Sequence, residues 1–510
     1  MKFKYIFILS LALTSCKDSF LNLTPDSELS ANDFYKTEVQ FRQALSGVYE
    51  ALRSTVNESG YLMGEMRSDN TYYDYYAPDR GIHIIRRENI DDFLDDDQNQ
   101  WTNEYFNNCY VAISRANTIL DRINSSDLSE DIKNNIIGET KFLRAYFYFN
   151  LVRYFGGVPL YLSEVKKEQD AFLPRSSAEE IYQSIISDAK DAISKLDNPK
   201  FPQSGRVTKG SANTLLAEVY LTRKDFQSAE PLLKEVTNMG YALLPNYASV
   251  FETSNKNNQE SIFEIQFMMG DQGQQSMFSY WFIPKSNNVE LITGVVSNTL
   301  NYGGFNVPTD DMLQAYEQGD TRENASIGIA EGIIATDGSF VIESVKNSQG
   351  YVKPNGKVAK PFVRKYLHTH SRERNTDDNW PVYRYSNVLL MLAETLNENG
   401  NSAGALTYLN QVRKRAGQTL ADVTTTDKTA LRDLIFKERR VELAFENHRW
   451  HDLVRSDKAI SVMTEQGKYM KAKFGYLSAN AYNITPNRLI FPLPYLELQL
   501  NKQLTQNPGY

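Results

Sequence analysis

Cysteine and histidine are scarce in this chain of 510 residues, which holds two of the first and five of the second. Two cysteines cannot staple a fold, and so small a supply of thiols leaves no Cys-rich zinc site to build. Cations are outnumbered, 55 Lys and Arg against 63 Asp and Glu, for a formal charge of −8. A nucleic acid, whose phosphates must be neutralised, is therefore not an expected partner. No Gly-rich phosphate loop, Gly-x-Ser-x-Gly elbow or His-Glu-x-x-His helix occurs. What is abundant is aromatic, with 31 Tyr and 26 Phe. Apolar residues at 41% and charged residues at 23% describe a globular chain. Its length exceeds one compact core, so several layers or a stacked architecture are expected. Many flat side chains beside few nucleophiles and imidazoles favour binding over catalysis.

The N-terminus reads as an address. Lys2 and Lys4 precede the apolar run Tyr5 to Leu13, which is too short to cross a hydrocarbon layer of roughly 30 Å and has the shape of a secretory signal. Leu13-Thr14-Ser15-Cys16 then resembles the lipobox of bacterial lipoproteins, which implies lipidation of Cys16 after removal of residues 1–15. Acyl chains on that sulfur would hold the protein at a membrane surface. Residues 16–30, polar and carrying Pro25, are expected to be the lipid-anchored tether. The other cysteine, Cys109, falls in a helical pattern with Ile113, Ala116 and Leu120 and is expected to be a buried small hydrophobe.

From residue 31 onward the pattern is helical. Phe41, Leu45, Val48 and Leu52 make one stripe of an amphipathic helix. Further helices are predicted near 98–122, 131–155 and 178–195, the second apolar on most faces and stopped by Gly156-Gly157 and Pro159. A repeat follows. Ala212, Leu215, Leu216, Ala217, Ala229, Leu232, Leu233 and Val236 return as Val388, Met391, Leu392, Ala393, Ala405, Tyr408, Leu409 and Val412. Each copy reads as helix, polar turn, helix, the signature of a tetratricopeptide-type hairpin. Between the copies, residues 240–379 are rich in Gly and Asn, with short β-like runs at Ser261–Phe267 and Gly338–Val345. The expectation is a mainly α fold: an irregular helical-hairpin stack over about 31–239 and 380–510, within a body of 31–510. It carries a loop-rich ligand-binding excursion with short strands over about 240–379.

Segments along nearly the whole mature chain resemble the SusD-like (RagB/SusD) nutrient-binding lipoproteins of outer membranes. They are Cys16-Lys17-Asp18-Ser19-Phe20-Leu21, Gly138 to Tyr146 running on to Phe155-Gly156-Gly157-Val158-Pro159, Arg206 to Gly210, and Pro381 to Tyr385. Glu438 to Glu446 with His448-Arg449-Trp450, and the terminus Gln506-Asn507-Pro508-Gly509-Tyr510, are the most specific. The resemblance implies a non-enzymatic lipoprotein on the exterior of the outer membrane. It would capture oligosaccharides, with peptides or another oligomer as the alternative cargo, and pass them to a SusC-like TonB-dependent transporter. A surface glycoside hydrolase is a further alternative, although no pair of carboxylates is singled out.

The charged run Glu438–Arg455 is read as an internal ion-pair network, because its interleaved apolar residues set the helix against a core, where charges must be paired. His368 and His370 would share one face of a strand but lack a third ligand, so no metal is expected there. No cofactor is expected elsewhere either. Asp91, Asp92, Asp95, Asp96 and Asp97 lack the spacing of a calcium loop, and calcium stays open only because relatives bind it. Sugar binding calls for aromatic faces for C–H groups and planar polar groups for hydroxyls. Two aromatic clusters have no scaffold explanation: Asp69, Asn70, Tyr72, Tyr73, Tyr75 and Tyr76 closed by Arg80, and Tyr280-Trp281 in the excursion. These are the candidate ligand contacts.

Overall fold

The computed structural model describes residues 34–510. The signal, Cys16 and the tether lie outside the described residues. Helix α1 (Glu38–Thr55) starts at a capping box, in which Thr37 accepts from the Gln40 amide while the Gln40 side chain returns to Thr37. It buries Phe41, Leu45, Val48 and Leu52, and two buried π-helical turns, Val56–Gly60 and Leu62–Met66, extend it. After strand β1 (Thr71–Tyr72) come α2 (Ile82–Asp91), α3 (Gln100–Ile123), α4 (Glu130–Phe155), α5 (Ala178–Lys195), α6 (Lys209–Thr222) and α7 (Phe226–Thr237). Helix α4 buries residues on nearly every face and stops at Gly156, whose φ of 72° suits glycine. Cys109 is fully buried, and burial pushes its thiol pKa up.

Beyond α7 the chain makes β2 (Ser261–Ile265), leaves the scaffold, and returns at β7 (Trp380–Arg384), which pairs antiparallel with β2. Both strands of this clasp are buried throughout. Between them lie the short helices α8 (Phe278–Phe282), α9 (Glu290–Thr293), α10 (Asp310–Ala315) and α11 (Thr321–Ser326) and the strand β3 (Val307–Pro308). A three-stranded antiparallel sheet follows, ordered β5-β4-β6, from β4 (Ile327–Ile334), β5 (Phe340–Asn347) and β6 (Val358–Val363). A second, smaller hydrophobic cluster around Tyr280, Ile283, Phe340 and Phe362 fills it. The chain ends with α12 (Tyr385–Glu398), α13 (Ser402–Ala416), α14 (Lys428–Glu442), α15 (Arg449–Arg455), α16 (Ala459–Lys473) and α17 (Tyr495–Leu500).

The helices stack in sequence: α1 on α3, α3 on α4, α4 on α5, α5 on α6, α6 on α7. The two repeat copies, α6/α7 and α12/α13, then meet directly, α7 against α12. Fully buried Ala212, Ala217, Ala229, Ala393 and Ala405 let these helices approach closely. Asn507 ties the C-terminus to this stack, donating to the carbonyls of Phe155 (2.9 Å) and Phe491 (2.7 Å). Among the described residues no helix is long and apolar enough to cross a membrane.

The charges of α14 and its neighbours form the buried network that their spacing predicts. Arg384 reaches Glu260 (2.8 Å), Glu442 (2.9 Å) and Glu446 (2.8 Å), and Arg322 reaches Glu438 (2.6 Å) and Glu442 (3.0 Å). Arg415 shares Glu260 and Glu442, while Lys365 holds Glu446 at 2.8 Å. Burial opposes ionisation of Glu442, but Arg415, Arg384 and Arg322 outweigh it and hold its pKa far below the usual carboxylate range. The network thereby joins the clasp, the excursion and the last helices. His368 and His370 are likewise structural: His368 Nδ1 lies 2.5 Å from Asp378, and His370 Nε2 lies 2.7 Å from the Tyr280 hydroxyl.

Candidate functional site

Strand β1 pairs with β3, Thr71 opposite Pro308 and Tyr72 opposite Val307. This pairing brings the tyrosine cluster to α10, whose N-cap Thr309 also donates to the Asp69 carbonyl (2.9 Å). On the other side lies the end of α16. Its buried face is Ala459, Met463, Gln466, Gly467 and Met470, so Tyr469 and Lys473 fall off that face.

Aromatic rings here form a continuous row. Tyr75 stacks on Tyr476 with centroids 4.3 Å apart and planes 13° apart. Tyr476 neighbours Phe474 at 5.3 Å, and Phe474 neighbours Tyr72 at 5.3 Å. The Lys473 ammonium then sits 5.9 Å from the Tyr72 ring and 5.5 Å from Tyr469, within cation–π reach. At the far end the Arg80 guanidinium lies 4.4 Å from Tyr75 while both its NH groups donate to Glu88 at 2.6 Å. Tyr76 is half-buried, 5.7 Å from the Lys285 ammonium. Burial lowers the Lys285 pKa to about 8.

The row ends at an open cleft of about 720 Å³ bordered by Asp69, Asp310, Asp311, Arg440, Gln466 and Tyr469. Tyr469 is 40% exposed on its rim. Its hydroxyl donates to Asp310, which also receives Lys473 at 2.6 Å. Arg449 grips both oxygens of Asp69 at 2.7 and 2.8 Å. Burial pushes the Asp69 pKa up, but Arg449 and Arg440 outweigh it and bring it down to about 2. The carboxylate is thus fixed as the anionic floor of the cleft.

Several sequence expectations need correction. Tyr280 and Trp281 do not present rings to solvent. The turn Phe278–Phe282 is buried at every position, because it bridges the main and the smaller hydrophobic clusters. Trp281 has the Arg87 guanidinium 4.0 Å and the Arg374 guanidinium 5.4 Å from its ring. Tyr73 is buried with its hydroxyl donating to Asp92 at 2.9 Å. Asn70 is also buried, donating to Glu65 (2.7 Å) and accepting from Arg440 (2.8 Å). Asp69 and Asn70 are therefore staples that fix the cluster to α14 and α15, and Tyr72, Tyr75, Tyr76 and Arg80 remain at the surface or half-buried. Among the described residues no group of three or more His, Cys, Asp or Glu side chains is placed to hold a metal ion.

The sequence reading missed Tyr469, Lys473, Phe474 and Tyr476, together with Asp310, Asp311 and Gln466. The signal was present in Tyr469-Met470-Lys471-Ala472-Lys473-Phe474-Gly475-Tyr476. There, three aromatics close an amphipathic helix without joining its apolar stripe.

Comparison with known proteins agrees with this architecture. The description "SusD family" matches residues 259–510, and "Starch-binding associating with outer membrane" matches residues 19–221. SusD-like protein P2 of Formosa agariphila is 28% identical over 540 aligned positions, covering 100% of both chains. Starch-binding protein SusD of Bacteroides thetaiotaomicron is 24% identical, over 78% of this chain and 76% of its own. Among solved structures, a laminarin-binding SusD-like protein superposes with a TM-score of 0.73 at 27% identity, over 93% of this chain and 100% of its own. A SusD superfamily protein from Bacteroides vulgatus shares the fold, with a TM-score of 0.73 at 23% identity over 94% of this chain and 100% of its own. With the two matches together taking in residues 19–221 and 259–510, the chain belongs to the SusD family.

Proposed function

We propose that this protein captures oligosaccharide at the outer face of the outer membrane and passes it intact to a SusC-like TonB-dependent transporter. The observation that carries the reading is the exposed Tyr469 ring on the rim of the open cleft, with the Lys473 ammonium between it and the row of Phe474, Tyr476 and Tyr75. A pyranose packs its C–H face on such a ring, and its hydroxyls hydrogen-bond to carboxylates and amides beside it. Asp311 and Gln466 border the same cleft. The starch-binding and laminarin-binding relatives support a glycan as the cargo class. Lipid on Cys16 would keep the cleft at the membrane, where a transporter could take the sugar by moving against it. No bond need break for any of this.

The test is isothermal calorimetry against a panel of oligosaccharides, with turnover assayed on the same samples. Replacing Tyr469 with Ala should weaken the best ligand at least tenfold, with the melting temperature held within about 2 °C, since the ring is exposed. Undiminished affinity would move the site elsewhere, and released reducing ends would make the protein a hydrolase.

A further inference from the structure

We propose that the cleft selects uncharged glycans and rejects those bearing uronate or sulfate groups. This rests on the glycan-binding reading above and deepens it. The cleft holds four carboxylates, Asp69, Asp310, Asp311 and Glu465, against the cations Arg440, Arg449, Lys468 and Lys473, and each of these cations is already committed, Lys468 to Glu465 at 2.6 Å. Arg449 is bidentate on Asp69. Arg440 donates to Asn70 (2.8 Å) and pairs with Asp69 (3.1 Å) and Asp311 (2.7 Å). Lys473 holds Asp310 at 2.6 Å.

Toward solvent stand the carboxylates of Asp311 and Glu465, with Lys468, 67% exposed, held on Glu465. Side chains of Asp311 and Glu465 are 60% and 72% exposed, whereas that of Arg440 is 11% exposed. At the other end of the aromatic row the pattern repeats: Arg80 is taken by Glu88, and Lys360 by Asp74. An anionic sugar would have to displace one of these internal pairs to find a counter-charge, and would meet carboxylates on the way.

A second, independent feature points to hydroxyl chemistry. Gln466 is only 7% exposed, borders the cleft, and its Nε2 has no hydrogen-bond partner among the described residues. A buried N–H without an acceptor is uncommon. A hydroxyl, which accepts and donates at one oxygen, can satisfy it and still donate to a carboxylate of the cleft. A carboxylate or sulfate oxygen only accepts.

The experiment uses affinity gels containing neutral hexose polymers, and the same polymers oxidised at C6 to uronates, at 20 and 500 mM NaCl. Neutral polymer should retard the protein equally at both salt concentrations, and the oxidised form should bind at least tenfold more weakly at 20 mM. Because oxidation also removes the C6 hydroxyl, the double variant D311N/E465Q provides the control, and it should narrow the difference to threefold or less. Equal or stronger binding of the oxidised polymer, or an unchanged difference in the double variant, overturns the charge selection and leaves glycan binding intact. Retardation by neither polymer removes the glycan-binding reading itself, and the charge selection with it.

Discussion

Arg384 is the residue whose loss should most reveal how this scaffold is held. It sits at the end of the β7 clasp, 1% exposed, and donates to Glu260, Glu442, Glu446, the Ser386 hydroxyl and the Glu442 carbonyl, all between 2.7 and 2.9 Å. Replacing it with Met keeps most of the volume and removes every one of those bonds. Breaking a buried ion pair by deleting one partner costs about 3–5 kcal/mol, because a desolvated charge is stranded. Here each stranded carboxylate keeps another cation: Lys365 on Glu446, Arg415 on Glu260, and Arg415 and Arg322 on Glu442. The expected loss is therefore at the lower end, about 3 kcal/mol, or roughly 150-fold in the folded-to-unfolded ratio. All four tryptophans are 9% exposed or less, so their fluorescence reports urea unfolding of the whole body. The midpoint should fall with an unchanged slope. A loss below about 1 kcal/mol at pH 7 would refute the claim that the network locks the fold.

Trp281 gives the complementary case. Truncation to Ala should destabilise the protein by about 3–5 kcal/mol, as for other buried aromatics, with melting temperature as the readout; a stable variant that has lost only glycan binding would return Trp281 to the site. Glu65 carries a pH signature. Burial lifts its pKa to about 7, against donors from Asn70, Phe445 and Asn447. Because the folded state holds this proton more tightly than the unfolded one, Glu65 contributes stability below about pH 4 that is lost as pH rises through 7. Between pH 5 and 8 the gap between wild type and Glu65→Gln should shift in the variant's favour by about 2–3 kcal/mol, and parallel stability curves would show an ordinary carboxyl there.

Much of the scaffold was legible because its cause is local. Period-3.6 stripes such as Ile181, Ile185, Ala189 and Ala192 are buried, and the matching alanines of the two repeats name the faces that meet. The ion-pair network was legible for a similar reason, since charges alternating with Val441, Ala444 and Phe445 along the end of α14 and the turn after it leave them nowhere to go but inward. The site was only half legible. A tyrosine off any helical stripe reads the same whether it faces solvent, as Tyr75 does, or caps a buried aspartate, as Tyr73 does with Asp92. What separates them is the partner, and Asp92 and Tyr476 are distant choices that a local pattern does not specify. Phe278–Phe282 misled because an aromatic turn inside a loop-rich region resembles a ligand loop until the second core it fills is known.

The misassigned polar residues explain why the remaining site can work. Asp69 and Asn70 looked like sugar-binding groups, yet Asp69 is held by Arg449 and Arg440, and Asn70 by Arg440 and Glu65. Their role is to fasten β1 to α14 and α15 on one side while β3 holds it on the other. Tyr72 then rests on backbone that has little freedom left to lose, and the rings of Phe474 and Tyr476 pack beside it, tilted by about 30° to one another, before any sugar arrives. Ordering a mobile side chain on binding costs about 0.5–1.5 kcal/mol each. A row of four rings already in place therefore spares several kcal/mol, comparable to the whole free energy of millimolar binding. On the proposed reading, weak individual contacts with sugar would sum to useful affinity without a closing lid, and the open cleft would let the cargo leave.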